Sequence, residues 1–457
     1  MRLKSTLLAV ALFVGMPLVY LKLADAKAKA KPTAAISALD ATPLHTAFHD
    51  LTAVIVYDIF SPPQASRVYA YSSVAAYEVL RQADTTYKSL AGQLNGLTAV
   101  PARTPGVEYS LSLAGVHAMM TVGTQYTFSK ARMDTLRRAL DEQYKNSGIP
   151  SDVYERSIAY GDTVAKHIIA WAGKDSYREM RGMPKYSVSK EAWRWVPTPP
   201  AYMDAVEPNW GKLRPFVLDS SSQFRPEPPL AWDTLPGSAF YLQAKEVHDV
   251  GRAITQEQRN IAAFWDCNPY VMHVQGHTMF ATKKITPGGH WMGIVSIAAR
   301  QSKSNIVVSA DAYARTALTL ADGFLSAWEA KYATNVIRPE TVINKYIDES
   351  WEPLLQTPPF PEYTSGHSVV STAAAVVMNE QFGDTFAFTD STETEYGLPV
   401  RSFTSFNAAA EEAAISRLYG GIHYRRSITQ GQAQGQKVGA RVLQKIVTHP
   451  TVRIASR

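Results

Sequence analysis

Residues 364–377, TSGHSVVSTAAAVV, predict an apolar α-helix with a defined start. Ser365 can cap that start, because a serine hydroxyl accepts a hydrogen bond from a backbone N–H of the first turn. Gly366 leaves the first N–H groups open to close approach, and the helix dipole adds partial positive charge there. His367 stands beside these groups, so the helix start is a candidate anion site. The alternative is ordinary helix capping beside an incidental histidine.

Helical signals extend along most of the chain and predict an all-α fold of two packed helical bundles. Apolar residues recur at helical spacing, and several segments begin at a serine, once followed by two prolines. The predicted helices lie near residues 61–82, 108–124, 129–146, 151–173, 239–250, 256–266, 306–331, 365–382, 407–420 and 430–447. Alternating strand patterns are nearly absent.

Residues 182–237 separate the two helical parts, because their many prolines break any long helix. We expect an ordered irregular excursion that wraps over the later helices, since its aromatic side chains would be costly to leave in water. Those side chains are Trp193, Trp195, Trp210 and Phe216. The predicted organisation is a signal peptide at 1–26, an N-terminal helical part at 27–181, the excursion at 182–237 and a C-terminal helical bundle with the site at 238–457.

Composition and the N-terminus predict an exported globular protein. Hydrophobic residues make up 46% and charged residues 19% of the chain, which excludes a disordered polymer. The net charge of +6 is spread without basic runs, so no nucleic acid is expected as partner. A basic start, an apolar stretch at 7–21 and Ala24-Asp25-Ala26 form a signal peptide. We expect a periplasmic or secreted protein, without stable membrane insertion after cleavage. Cys267 is the sole cysteine, so no intramolecular disulfide forms, and it is expected to be buried.

Two further motifs add cations and a second imidazole. Lys331 and Arg338 are seven residues apart, and Arg338 precedes a proline, which places it near a helix end. Arg417 and His423 follow later, separated by the paired glycines 420–421 that permit a sharp bend. Each motif alone is compatible with a solvated helix end or a packed core histidine. Together with residues 365–367 they supply what a protein needs to hold a tetrahedral oxyanion.

The three motifs resemble one superfamily, the type-2 phosphatidic acid phosphatases and vanadium-dependent haloperoxidases. Its pattern is K-x6-RP, then PSGH, then SR-x5-H, and this chain has all three in order, with Thr364 in place of the proline. Three earlier stretches are similar to the bacterial haloperoxidase-like branch. They are SPPQASR at 61–67, FWDCNP at 264–269 and PGGHW at 287–291.

The resemblance implies a role for each motif residue. Lys331, Arg338 and Arg417, with Ser365 and the Gly366 N–H, would bind the equatorial oxygens of vanadate or phosphate. His423 would bond the central atom, as the vanadium ligand of a peroxidase or the phosphorylated nucleophile of a phosphatase. His367 would be the acid–base group. Hydrogen peroxide, a halide and an organic acceptor would be the small-molecule substrates of the peroxidase.

The choice between these chemistries rests at this point on Ser427. The superfamily pattern has an aspartate there to orient the second histidine, and a phosphorylated histidine needs such a carboxylate. We therefore favour a vanadate-dependent haloperoxidase, with Asp266 or Glu340 as substitute acids. The alternatives are an exported acid phosphatase with a phosphohistidine intermediate and a non-catalytic oxyanion-binding relative.

Two aromatic residues are further candidates, for the path of the halide. Trp328 and Phe360 occupy positions that border this path in the resembling peroxidases, although core packing would equally explain them. Phe360 resembles the pattern of chloride-competent members. An apolar rim would strip water from a halide and exclude water from the site. His277 and His290 are candidates for positions around the site, or for packed core histidines.

Overall fold

The computed structural model describes Ser37 and residues 39–449. Within these residues the chain forms fourteen α-helices and two short antiparallel hairpins. The helices are α1 Thr42–Tyr57, α2 Pro62–Leu80, α3 Leu111–Tyr126, α4 Lys130–Lys145, α5 Ser151–Ala172, α6 Tyr177–Met180, α7 Ala239–Arg252, α8 Gln256–Phe264, α9 Pro287–Gln301, α10 Ile306–Thr334, α11 Pro339–Tyr346, α12 Gly366–Phe382, α13 Phe406–Tyr419 and α14 Arg425–Lys445. The strands are β1 Val271–Gln275, β2 Thr278–Thr282, β3 Phe388–Asp390 and β4 Arg401–Phe403. The prediction of an all-α fold is confirmed, while the predicted signal peptide at 1–26 lies outside the described residues.

Two helices that are buried along their length form the centre of the molecule. Every residue of α2 is buried, and so are nearly all residues of α10. Because so little of either helix is left to solvent, both must be covered by other elements on all sides. Helix α2 packs against α3 and α10, and α10 packs in turn against α9 and α12. One continuous apolar core therefore links the N-terminal helices with the C-terminal ones.

Glycines bring α14 into close contact with α12, the helix that begins at the predicted anion site. Gly431, Gly435 and Gly439 recur every four residues and face α12. A Cβ on Gly435 would lie 2.3 Å from the carbonyl oxygen of Val369. Because no side chain fits there, the two helices pack at backbone distance, which fixes the start of α12.

The proline-rich segment wraps over α10, as the sequence predicts. The backbone N–H groups of 216, 217 and 218 donate to the buried carboxylate of Asp322 on α10 at 2.7–3.0 Å. The carbonyl of Val206 accepts hydrogen bonds from Trp328 and Tyr332 of the same helix. The aromatic residues of the segment are buried, with one exception. Trp193 is 42% exposed, so the expectation that it leaves water is wrong.

The sequence missed four helices and both hairpins. Helices α1, α6, α9 and α11 lie where no helix was predicted, and α14 begins at Arg425 rather than near residue 430. Helices α9 and α11 both open on a proline at the first helical positions, which is a usable start signal. Across residues 39–449, no helix has the length and hydropathy that a bilayer span requires. The predicted domain boundaries stay predictions.

Candidate active site

Residues of two sequence motifs line one cavity of about 40 Å³, and Arg338 of the remaining motif contacts His423, one of the lining residues. Gly366 and His367 reach it from the start of α12, and Arg417 reaches it from the last turn of α13. His423 lies in the connection from α13 to α14. That connection needs Gly421, whose φ of +76° is left-handed and whose Cβ position is 3.0 Å from Trp351. The turn at Gly421 therefore directs His423 back into the protein.

Arg338 lies beside His423 and keeps one donor free. It is the residue before α11, as the Arg-Pro pair predicts. Its Nε donates to the carbonyl of Phe360 at 2.9 Å, and its Nη1 donates to the carbonyl of Ile422 at 2.8 Å. Nη1 is also 3.2 Å from Nε2 of His423. Nη2 is buried and has no hydrogen-bond partner among the described residues. A buried unpaired guanidinium N–H is costly unless an acceptor comes to it.

Lys331 holds the chain segment that leads into α12. Its Nζ donates to the carbonyls of Pro361, Glu362 and Thr364 at 3.0, 3.1 and 2.6 Å. These bonds use all three ammonium donors. Lys331 thus places its positive charge near the site, while its hydrogen bonds go to backbone carbonyls. Its direct contact with an oxyanion stays a prediction.

The three cations form a buried positive site. Arg417 is anchored by the hydroxyl of Ser416 at 2.9 Å and the carbonyl of Trp265 at 2.6 Å. Burial lowers the pKa of Lys331, Arg338 and Arg417, for Arg338 to about 10. For Lys331 the positive charge of Arg338 lowers the pKa further. A bound anion would offset the cost of keeping these three groups charged away from water.

His423 is oriented by a carboxylate that the sequence analysis did not identify. Its Nδ1 is 2.7 Å from Oε1 of Glu362, which also accepts the backbone N–H of Tyr424 at 3.1 Å. Burial raises the pKa of Glu362 to about 7, and the charges of Arg338 and Lys331 oppose this shift. The pair leaves Nε2 of His423 on the side of Arg338. Burial, followed by the charges of Arg338 and Lys331, lowers the pKa of His423 well below its usual value, so the imidazole is neutral and can act as a ligand.

The two acids proposed from the sequence lie elsewhere. Asp266 is ion-paired with Lys284. Glu340 is buried, its Oε2 has no hydrogen-bond partner among the described residues, and burial raises its pKa. Ser427, at the position of the usual aspartate, still comes within 3.4 Å of Nδ1 of His423 through its hydroxyl. The prediction that Asp266 or Glu340 orients His423 is therefore wrong, because Glu362, four residues before α12, already contacts Nδ1 of His423.

Glu362→Gln is expected to weaken vanadate binding by about 10–100-fold, the usual effect of losing the partner of a metal-bound histidine. The amide keeps the size and a neutral acceptor but removes the negative charge from Nδ1. Equilibrium dialysis with vanadium quantified in each chamber measures the change. The double variant Glu362→Gln/Ser427→Asp returns a carboxylate to the same nitrogen, and we expect it to recover part of the affinity. Unchanged affinity in the single variant would contradict the role of Glu362.

His367 faces the cavity with a free ring nitrogen. Its Nε2 is buried and unpaired within the part of the chain that the structure describes. Burial and then the charge of Arg417 lower the pKa of His367 well below its usual value. The ring is therefore a neutral base with an open acceptor. Ser365 caps α12 as predicted, accepting the N–H of Ser368 at 3.3 Å, and a Cβ on Gly366 would touch Trp328 at 3.4 Å.

Aromatic and apolar residues form the wall of the cavity. Trp328 and Phe360 both line it, with ring centroids 4.8 Å apart, although the part they play in a halide path stays a prediction. Nine further residues line the cavity that were not predicted there from the sequence. These are Pro62, Cys267, Asn268, Pro269, Tyr270, Pro287, Phe324, Pro358 and Ile422. Five of them lie in the stretches 61–67, 264–269 and 287–291. Those stretches could have indicated the site, because their sequences resemble the bacterial haloperoxidase-like branch. His277 is exposed in the turn between β1 and β2, so it is not placed at the site.

Comparison with solved structures identifies the family. The crystal structure of the first bacterial vanadium-dependent iodoperoxidase is 50% identical in sequence, with a TM-score of 0.86. The match covers 92% of this chain and 99% of that one. This chain belongs to the vanadium-dependent haloperoxidases.

More distant haloperoxidases share the fold. Holo and apo structures of a bacterial vanadium-dependent chloroperoxidase are each 15% identical, with TM-scores of 0.65 and 0.63. They cover 85% and 83% of this chain, and 93% of their own chain in each case. A family model described as the VCPO second helical-bundle domain matches residues 311–451, which include all three haloperoxidase motifs. No curated protein sequence matches the chain.

Proposed function

We propose that this protein is a vanadate-dependent haloperoxidase that oxidises iodide with hydrogen peroxide to a hypohalous-acid equivalent. One observation carries the proposal. Arg417 and two neutral imidazoles line a small cavity, and Arg338 contacts one of them, His423, while a buried guanidinium N–H of Arg338 lacks an acceptor among the residues described. Such a set matches an anion with several oxygens and a central atom that bonds nitrogen.

The residues present fit vanadate. Nη2 of Arg338 offers an unused donor, and Arg417 lines the cavity. Nε2 of His423 offers a lone pair, because Nδ1 carries its proton toward Glu362. Gly366 contributes the start of α12 without a side chain that would block approach. Vanadate would be held by Arg338, Arg417, His423 and the first turn of α12. Lys331 would add positive charge nearby.

The residues of the chain perform three tasks in the reaction. Bound vanadate would supply Lewis acidity that activates hydrogen peroxide toward a halide. His367 holds the acid–base position, because Nε2 is neutral and unpaired and can accept a proton from hydrogen peroxide. The positive charges of Lys331, Arg338 and Arg417 stabilise the negative charge of the bound oxyanion during the reaction. The aromatic wall of Trp328, Phe360 and Phe324 keeps bulk water away from the oxidant.

Iodide is the halide that this wall suits best. A large, weakly hydrated anion loses least when it leaves water for an aromatic surface, and iodide is also the halide that is easiest to oxidise. The 50% identical relative is named an iodoperoxidase, which supports the same choice. Phe360 resembles the chloride-competent pattern, but chloride must give up more hydration to pass the wall.

The function is tested on purified protein stripped of vanadate and then reloaded. We expect halide oxidation to require orthovanadate and hydrogen peroxide, with kcat/KM highest for iodide, lower for bromide and lowest for chloride. Triiodide formation and dye bromination are the readouts. Activity that is independent of vanadate would contradict the cofactor, and a preference for chloride would contradict the halide assignment.

The phosphatase alternative keeps one observation in its favour. Ser427 in place of an aspartate made a phosphatase less favoured from the sequence, because His423 then lacked a carboxylate partner. Glu362 supplies that carboxylate. A carboxylate–histidine pair could equally support a phosphohistidine intermediate. Hydrolysis of p-nitrophenyl phosphate by the vanadate-free protein, inhibited by added vanadate, would support this second activity.

We also propose that the protein is exported. The basic start, apolar stretch and small-x-small site within residues 1–26 support export. Mature protein recovered from the producing cell is expected in the periplasm or medium, with Lys27 as its first residue. A cytoplasmic protein that retains residue 1 would contradict the proposal.

A further inference from the structure

A second group of side chains lies beside the active-site cavity and has no part in the haloperoxidase reaction. Cys267, His290 and Glu393 bring a thiol, an imidazole and a carboxylate together, and all three are buried. Cys267 also lines the cavity that holds His423. In the part of the chain that the structure describes, this is the one cluster of such side chains with the geometry of a metal site.

The distances in this cluster are those of a tetrahedral metal site. Sγ of Cys267 is 3.5 Å from Nδ1 of His290 and 3.8 Å from Oε1 of Glu393, and Nδ1 is 3.1 Å from Oε1. Zinc bonds of about 2.3 Å to sulfur and about 2.0–2.2 Å to nitrogen and oxygen place tetrahedral ligand atoms about 3.3–3.6 Å apart. The three observed distances lie within about 0.3 Å of that range.

The other nitrogen of His290 has the partner that a metal ligand needs. Nε2 is 2.7 Å from Oδ2 of Asp390, which is fully buried. This contact keeps a proton on Nε2, and a metal ion at Nδ1 would replace the proton that Nδ1 shares with Glu393. A carboxylate on the far nitrogen is the usual arrangement around histidines that bind zinc. Trp265 stacks on the imidazole at 4.5 Å and fixes the plane of the ring.

We propose that Cys267, His290 and Glu393 bind a Zn²⁺ ion. The mixed sulfur, nitrogen and oxygen donors suit Zn²⁺ and exclude Mg²⁺ and Ca²⁺, which prefer oxygen. Zn²⁺ has no redox chemistry, which suits a position beside a site that handles hydrogen peroxide. A water is the fourth ligand, since the cavity beside Cys267 has room for one. Binding releases the thiol proton of Cys267, and any proton on Nδ1, to solvent.

The ion would tie together three segments that shape the oxyanion site. Cys267 follows Trp265, whose carbonyl anchors Arg417 at 2.6 Å. His290 lies in the first turn of α9, and Glu393 lies in the turn after β3. The chain has a single cysteine and no intramolecular disulfide to perform this task. Loss of the ion would loosen the anchor of Arg417 and weaken vanadate binding without removing a vanadate ligand.

The test uses the full-length purified protein and the metal alone. Elemental analysis of the protein as isolated is expected to find one Zn²⁺ per chain. After removal of the metal with a chelator, added Co²⁺ is expected to give the near-ultraviolet charge-transfer band of a cobalt–thiolate bond, and added Zn²⁺ to abolish it. Zn²⁺ is also expected to raise the Tm of the stripped protein.

Variants separate this site from adventitious binding. Cys267→Ser should lose the charge-transfer band, and Glu393→Gln should bind Co²⁺ at least about ten-fold more weakly. His49→Gln is the matched control. His49 is an exposed histidine 3.1 Å from Glu395, and its replacement should leave metal binding unchanged. Should Cys267→Ser fail to fold, the wild-type spectrum and Glu393→Gln still decide. A wild-type protein that holds no zinc and gives no cobalt–thiolate band would leave a hydrogen-bonded network only, and would overturn the proposal.

Discussion

His423→Ala is expected to abolish vanadate binding, and halide oxidation with it. Nε2 of His423 is the neutral nitrogen donor at the cavity, and its lone pair is kept available by the contact between Nδ1 and Glu362. Loss of a carboxylate partner behind a ligand typically costs about 10–100-fold in metal affinity, so loss of the ligand itself should cost more. Alanine also removes the group beside which Arg338 is packed.

Equilibrium dialysis with vanadium analysis measures this prediction, together with vanadate-dependent triiodide formation. His277→Ala is the matched control, since that histidine is exposed between β1 and β2. Circular dichroism and thermal unfolding should show that both variants fold. A His423→Ala protein that retains bound vanadate and full activity would show that the central atom is held elsewhere.

His367→Ala is expected to retain vanadate and lose turnover. His367 lines the cavity and its Nε2 has no partner within residues 39–449, so we assign it to proton transfer rather than to holding the anion. General acid–base groups contribute about 10²–10⁴-fold to rate, and we expect kcat for iodide oxidation to fall by that factor. The vanadate Kd should change little, because Arg338, Arg417 and His423 remain.

The difference between the two histidines is the sharpest test of the site. His367→Gln keeps a polar group of similar size without a titrating nitrogen, and should be as slow as the alanine variant. Steady-state kinetics at saturating vanadate, with vanadium content measured on the same sample, separates kcat from cofactor loss. If His367→Ala lost vanadate in parallel with activity, His367 would be part of the anion cradle.

The local features of the site could be predicted from the sequence because each depends on neighbours in the chain. Ser365 caps α12, Arg338 precedes a helix because Pro339 follows it, and Gly421 permits the turn before His423. Most helices followed from apolar spacing and cap residues. Helix α9 escaped although Thr286 caps it and Pro287 opens it, and the hairpins escaped because strands of three to five residues are too short to show a clear alternation.

The acid that orients His423 could not be predicted in this way. Glu362 is 61 residues away in sequence and lies in a turn-rich stretch without a helical or strand pattern. The position four residues after His423 is one turn along and was the natural place to look for it. Backbone carbonyls as the acceptors of Lys331 were equally invisible, because their direction depends on how residues 361–364 fold over α10.

By itself the sequence determined the helical class, the residue types of the anion site and the order in which they come. These follow from short-range physics, in which capping, apolar spacing and backbone restriction act within a few residues. The tertiary structure decided which carboxylate meets His423, which donor of Arg338 stays unpaired, and that Cys267, His290 and Glu393 lie in contact with one another. Those outcomes depend on how α10, α12 and α14 pack, and close packing is set by contacts between residues that are far apart in the chain.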